Sequence, residues 1–288
     1  MDVVLGLLAA LFWGGTDFLV GLNARAVGVK RAVYFGQALG FLIMCALLLC
    51  YPAFISKSFS APWHVWLLGV LASVFTVSGA LALSKAFALG KASIVAPLVT
   101  SYGVFTTLLS WASGEQISMT QVLLIALCVL GVVLSSITPS DDSRAKKHNR
   151  QAIVYALGAA LLYGSSFWMQ GRYALPALGP VTMLWLGYVV GIAVLSPMIL
   201  RMKDVMKLPP ARTGATLAAA SLLNLCGFSA FSYGAMVGSI SVVTVISTLS
   251  GGVAAVLGFL FFKERLSPVQ VCGVGLVLIA AVALHVYG

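Results

Sequence analysis

Carboxylates are scarce in this chain. Its 288 residues hold seven of them, against 17 lysines and arginines. So few acids exclude coupling to several ions at once, because each coupled proton or sodium ion needs an ionisable or oxygen-rich site inside the membrane. Cysteine and histidine are thin as well. The five cysteines, Cys45, Cys50, Cys128, Cys226 and Cys272, are scattered through apolar stretches. They offer neither a disulfide framework nor a CxxC metal spacing. The three histidines, His64, His148 and His285, fall at helix ends or in a basic loop and assemble no metal site. No phosphate-binding glycine loop, no HExxH and no placeable serine–histidine–acid set occurs. No enzyme, cofactor or metal is therefore expected.

What remains is apolar. Hydrophobic residues make up 61% of the chain, charged residues 8%, and mean hydropathy is +1.06. Apolar runs long enough to cross about 30 Å of hydrocarbon recur along the whole length. Ten spans are expected, at 3–22, 33–53, 64–84, 92–112, 120–138, 152–171, 181–200, 213–234, 240–262 and 267–287. The expected fold is an all-α integral membrane protein with the lipid bilayer as its main partner.

The gaps between spans carry the orientation. Numbered in order, the odd gaps hold fifteen lysines and arginines, and the even gaps hold only Lys57 and Arg172. Short basic loops stay cytoplasmic, which places the odd gaps inside and both termini outside. The net charge of +10 is thus a topology signal. It gives no basic soluble face for nucleic acid.

The chain also repeats itself. Ser101, Gly103, Val104, Glu115, Ser118 and Gln121 meet Ser250, Gly252, Val253, Glu264, Ser267 and Gln270 at an offset of 149. At an offset of 150, Val4, Leu7, Ala9, Ala10, Gly14 and Gly21 meet Val154, Leu157, Ala159, Ala160, Gly164 and Gly171. The expected organisation is a five-helix repeat over 1–138, a basic cytoplasmic linker over 139–151 and a second repeat over 152–288. Five is an odd number, so the second copy enters from the opposite side, as the loop charges also suggest.

Two segments carry a family likeness: Gly114-Glu115-Gln116-Ile117-Ser118 with Gln121, and Lys263-Glu264-Arg265-Leu266-Ser267 with Gln270. Pro97 in the fourth span and Phe12-Trp13-Gly14 in the first add to it. The whole chain resembles the EamA-type transporters of the drug/metabolite transporter superfamily. The resemblance implies a carrier of the bacterial inner membrane, with a central cavity lined mainly by spans 1, 3, 4, 6, 8 and 9. It points first to the amino-acid exporters, including those for aromatic amino acids.

The substrate-site residues expected from this reading are Trp13, Asp17, Ser78, Tyr102, Tyr163, Asn224 and Ser250. Asp17 is the only carboxylate well inside a span. A carboxylate in hydrocarbon is costly, so it faces a cavity or a partner. It either binds a cation or proton, or forms a helix-end salt bridge with Lys85. Its repeat partner is Phe167. Trp13 and Tyr163 are repeat partners able to stack on an apolar substrate, or to pack on neighbouring helices. Asn224 needs a polar partner in mid-span. Pro97 can kink the fourth span, while Ser250 precedes two glycines that allow close backbone approach. Glu115 and Glu264 are read as structural, complementing the N-termini of the fifth and tenth spans.

A cavity walled by Trp13, Tyr102, Tyr163 and Trp168, with only Lys85 and Arg172 at span ends, suits a neutral, partly apolar solute. Phosphate esters would want several inward cations. The function expected first is facilitated movement, as export, of small neutral solutes such as amino acids, by alternating access in a functional monomer. A proton-coupled antiporter of drugs or other metabolites using Asp17 is the alternative. A sugar carrier or a channel comes after it.

Overall fold

The computed structural model describes residues 2–114, 118–137, 143–201, 209–237, 246–263 and 266–286. Among them the chain is helical and contains no strand. The first repeat comprises α1 (Asp2–Val27), α2 (Val29–Cys50), α3 (Trp63–Leu89), α4 (Ala92–Val99), α5 (Tyr102–Ala112) and α6 (Met119–Ser136). The second comprises α7 (Ser143–Met169), α8 (Leu175–Leu200), α9 (Ala211–Val237), α10 (Ser250–Phe262) and α11 (Pro268–Val286). A short helical segment, residues 53–60, bridges α2 and α3.

Five stretches of the described residues are long and apolar enough to cross a membrane, and four shorter apolar helices accompany them. Between the sixth and seventh expected spans lie a π-helical turn at Gln170–Ala174 and the non-helical Gly179 (φ 73°), which parts two helices. Only glycine takes that φ without strain, and Pro180 follows it. Helix α7 begins at Ser143, so much of the expected linker is helical.

The fourth span is broken, but not where Pro97 alone would break it. Helix α4 stops at Val99, and α5 starts at Tyr102. In the gap, the Thr100 hydroxyl donates to Pro97 O (2.6 Å) and the Ser101 hydroxyl to Leu98 O (2.7 Å). These side chains satisfy carbonyls that the next helical turn would otherwise have bonded. The ninth span breaks at the equivalent place, with a turn at Thr248 and Leu249 before α10. Both broken helices also end alike: Gly114 (φ 95°) and Lys263 (φ 52°), repeat partners, lie in the left-handed region.

Non-helical backbone survives at membrane depth only when protein surrounds it. All eight residues of α4 are buried, and α4 packs against α10. A Cβ added at Gly251 would stand 2.7 Å from Thr100 Cγ2 and 3.0 Å from Ala96 O. The two breaks thus meet across a contact that only glycine permits.

The remaining packing obeys a pseudo-two-fold. Helix α1 packs on α9 and α3 on α7; α1 lies against α10 and α5 against α7; α2 pairs with α8, and α6 with α11. Glycines make these exchanges close. Trp13 lies over Gly227, while its repeat partner Tyr163 lies over Gly79. At the crossing of α2 and α8 the Tyr188 ring fills the groove at Gly40, and the Gln37 side chain fills the groove at Gly191. Gln37 and Gly40 correspond to Tyr188 and Gly191 at an offset of 151, inside GQALG and GYVVG, two Gly-xxx-Gly patterns of helix pairing.

Helices α6 and α11 start with matching caps. Ser118 N–H donates to Gln121 Oε1 (2.6 Å) and Gln121 N–H to Ser118 Oγ (3.2 Å). Ser267 and Gln270 do the same at 3.1 and 3.3 Å. Each is a capping box with Gln in the third helical position. Glu115 and Glu264 lie outside the described residues.

Gly251→Val should destabilise the crossing by about 1–3 kcal/mol, the usual cost of overpacking. Gly158→Ala, at a helical glycine with nothing within 4 Å of its added Cβ, should be neutral or stabilising by up to about 1 kcal/mol. Thermal unfolding of the purified protein in detergent checks both.

Candidate functional site

A cavity of about 200 Å³ lies between the repeats, room for a small solute. Helices α1, α2, α3 and α9 supply most of the lining; α4, α5, α7, α8 and α10 add one or two residues each.

Six of the seven expected residues reach this space: Trp13, Asp17, Tyr102, Tyr163, Asn224 and Ser250. Ser78 does not line it. Thr76 and Ala80 on the same helix do, and a residue two positions from each of them points to the other side of α3. Trp168 also stands away from the lining, edge-on to Tyr173 at 5.7 Å with its indole N–H buried and unbonded. The second and seventh spans, which the sequence left out, contribute Ala32, Val33, Gly36 and Gln37 from α2 and Tyr188 from α8. Gln37 was legible as an amide amid an apolar run.

The walls are aromatic on two sides. Tyr102 meets Phe167 edge-on at 5.1 Å, and Phe167 stacks with Tyr163 at 6.2 Å. Opposite, Trp13 meets Phe228 edge-on at 5.1 Å. Offset and edge-on rings of this kind hold one another rigidly.

Among the described residues Asp17 is the only charged one in the lining. Among the described residues its carboxylate accepts no hydrogen bond and pairs with no cation. Lys85, the expected salt-bridge partner, is exposed and does not pair with it. Phe167, at the equivalent place in the other repeat, lines the same cavity. Two-fold packing therefore encloses a one-sided charge.

Most lining polar groups are already engaged. Thr16 donates to Phe12 O (2.8 Å), and Thr216 donates to Asn23 Oδ1 (2.6 Å). Asn224 Nδ2 donates to Tyr188 OH at 3.4 Å, the partner that its mid-span position required. Thr76 Oγ1 lies 2.7 Å from Ser166 Oγ, and Ser166 donates to Ala72 O (2.7 Å). Among the described residues no group of three or more histidines, cysteines or carboxylates could hold a metal.

The cavity leans toward one face. Its residues on α1, α2, α3 and α9 lie in the halves next to the gaps at Gly28, at Gly90 and at residues 209–210, which are the basic, odd-numbered gaps. There Arg25 donates through Nε to Phe87 O (3.1 Å) and through Nη2 to Gly90 O (2.8 Å), with its guanidinium 4.9 Å from the Phe262 ring centroid. The cation thus covers the negative end of α3. On the opposite face the largely exposed segment 53–60 is anchored at Ser58. The Ser58 hydroxyl, 2% exposed, donates to Leu178 O (2.7 Å) and lies 2.7 Å from Thr182 Oγ1.

The model of the EamA-like transporter family matches residues 1–137 and 150–285. Protein MJ1333.1 of Methanocaldococcus jannaschii is 30% identical over 141 residues, which is 47% of this chain and 96% of that protein. That relative is thus about the length of one repeat. A solved crystal structure superposes with a TM-score of 0.67 at 15% identity, over 98% of this chain and 96% of its own, a likeness of fold.

In a cysteine-free background, Val20→Cys and Ala80→Cys should react with a membrane-impermeant thiol reagent added on the side of the basic gaps. Ser58→Cys and Thr182→Cys should resist it from either side. Equal labelling of all four would contradict a cavity open to one face.

Proposed function

The chain belongs to the EamA-like transporter family, and on that premise we propose that it carries small solutes bearing a protonated amine, amino acids first among them, through the cavity between its repeats. Membership makes it a multi-pass membrane protein that transports small solutes. The finer reading rests on one observation: the cavity holds a single charge, the unpartnered carboxylate of Asp17, set between the aromatic walls of Trp13, Tyr102 and Tyr163.

A half-buried carboxylate with no partner inside the protein is poorly solvated for a charge. An ammonium group would relieve it through a charge-assisted hydrogen bond, and the rings nearby favour a cation at their faces. Apolar and aromatic amino-acid side chains match the remaining walls. Among the described residues no lysine, arginine or histidine lines the cavity, which argues against phosphate esters. In this proposal the protein sits in a bacterial inner membrane, acts as a monomer and loads from the cytoplasmic side. The repeats then rock about the midplane site to expose it outward.

The same bare carboxylate favours a second reading, in which Asp17 takes a proton and the protein exchanges it for a drug or other metabolite.

Uptake of labelled amino acids into proteoliposomes, with and without a pH gradient, tests both. Saturable uptake that needs no gradient and shows counterflow is expected. Asp17→Asn should reduce it at least about tenfold, as loss of a charge-assisted contact of about 1.5–3 kcal/mol implies. Flux of solutes only under a pH gradient, abolished by Asp17→Asn, would establish the antiporter instead. Absence of flux for every amine-bearing solute would overturn the first reading.

A further inference from the structure

We propose that Gln37 is a specificity-determining residue: its amide takes the acceptor end, a carboxylate or carbonyl, of the solute whose ammonium group meets Asp17. The inference rests on the amine reading above and adds a second pole to that site.

The reasoning starts from the two-fold. Gln37 and Tyr188 occupy equivalent positions on α2 and α8, each seated in a glycine groove of the other helix. Both line the cavity. The neighbouring positions on α3 and α9 are also equivalent, at an offset of 148: Ser73, Thr76 and Gly79 match Ser221, Asn224 and Gly227. Tyr188 is satisfied from that row, because Asn224 donates to its hydroxyl. The matching partner for Gln37 would be Thr76. That hydroxyl is already committed, to Ala72 O at 3.1 Å and to Ser166 at 2.7 Å. Ser166 in turn is held by Gln170 Nε2 at 2.8 Å. One side of the two-fold is therefore closed on itself, and the other is left open.

The open group is Gln37. Its Oε1 is fully buried without a hydrogen-bond partner and presses on Gly191. No hydrogen bond within the described residues engages its amide nitrogen either. With the oxygen turned into the helix crossing, the N–H groups are the end left to the cavity. Those N–H groups are free to take a solute acceptor in place of water. Asn224 and Tyr188, joined to each other beside it, hold this pole in shape. Every α-amino acid carries an ammonium group and a nearby carboxylate or carbonyl, one for each pole. A simple amine meets only Asp17.

Three probes separate the poles: phenylalanine, phenylalaninamide and phenethylamine share the ring and the ammonium group and differ at the acceptor. Binding to the full-length protein in nanodiscs is measured by displacement of labelled phenylalanine and, independently, by calorimetry. Phenylalanine and phenylalaninamide should bind about tenfold or more tightly than phenethylamine, a difference of about 1.4 kcal/mol. Gln37→Leu should collapse that ratio toward one by weakening the first two. Gln37→Met, which keeps the side chain's length over Gly191 without an amide, should do the same and serves if the leucine variant folds poorly. A ratio near one in the native protein, or a ratio untouched by both variants, overturns the role of Gln37 and leaves the amine reading standing. Binding of none of the three overturns the amine reading itself, and the role of Gln37 with it.

Discussion

Every backbone amide and carbonyl that enters hydrocarbon must find its hydrogen bond within the protein, and this structure is organised around the two places where that is hardest. The fourth and ninth spans both break in mid-course. In the fourth, loose carbonyls are met by local hydroxyls, at Thr100 and Ser101, and α4 is buried along its whole length. The breaks can be buried only because the halves approach closely, and they do so where Gly251 faces Thr100. The cavity lies beside this crossing, bounded by Thr100, Tyr102 and Ser250. Its floor is thus irregular backbone that the surrounding helices alone make tolerable.

Symmetry is kept where helices pack and lost where the cavity needs chemistry. Trp13 on Gly227 mirrors Tyr163 on Gly79, and Gln37 on Gly191 mirrors Tyr188 on Gly40. At the lining, equivalent positions hold Asp17 and Phe167, Gln37 and Tyr188, Thr76 and Asn224. A relative the length of one repeat fits a unit that was joined to a second copy. Once joined, the two copies were free to diverge at the lining while the packing contacts stayed reciprocal.

Much of this could be read from residues alone. Hydropathy gave an all-helical membrane protein, and the internal offsets gave the two-repeat architecture that the family match bears out. The paired positions of Trp13 and Tyr163, and the lone Asp17, pointed to the cavity that they line. Three things stayed hidden for physical reasons. The break in the fourth span follows hydroxyls three and four residues after Pro97, and a proline visible in sequence does not say which nearby hydroxyls will trade places with the helical ladder. The contribution of α2 and α8 was obscured because the repeat offset drifts from 150 to 151 and then to 148, so that Gly40 and Gly191 do not align in an ungapped comparison. Ser78 failed on angle: polarity and depth were right, but two residues from Thr76 is the far side of a helix.

Asp17 also has an electrical consequence. It lies between the middle of α1 and its end at the basic gaps, inside the field of an energised membrane, where a full elementary charge crossing 100 mV changes energy by about 2.3 kcal/mol. Among the described residues no lining cation balances it. When Asp17 is ionised, whatever enters the cavity adds its own charge to one fixed negative charge. If the repeats rock as proposed, a zwitterion leaves the sum unchanged, and voltage acts alike on the loaded and empty strokes. A monocation cancels it, and voltage acts on the empty carrier alone. The voltage dependence of net transport would then read the solute's net charge through a single side chain.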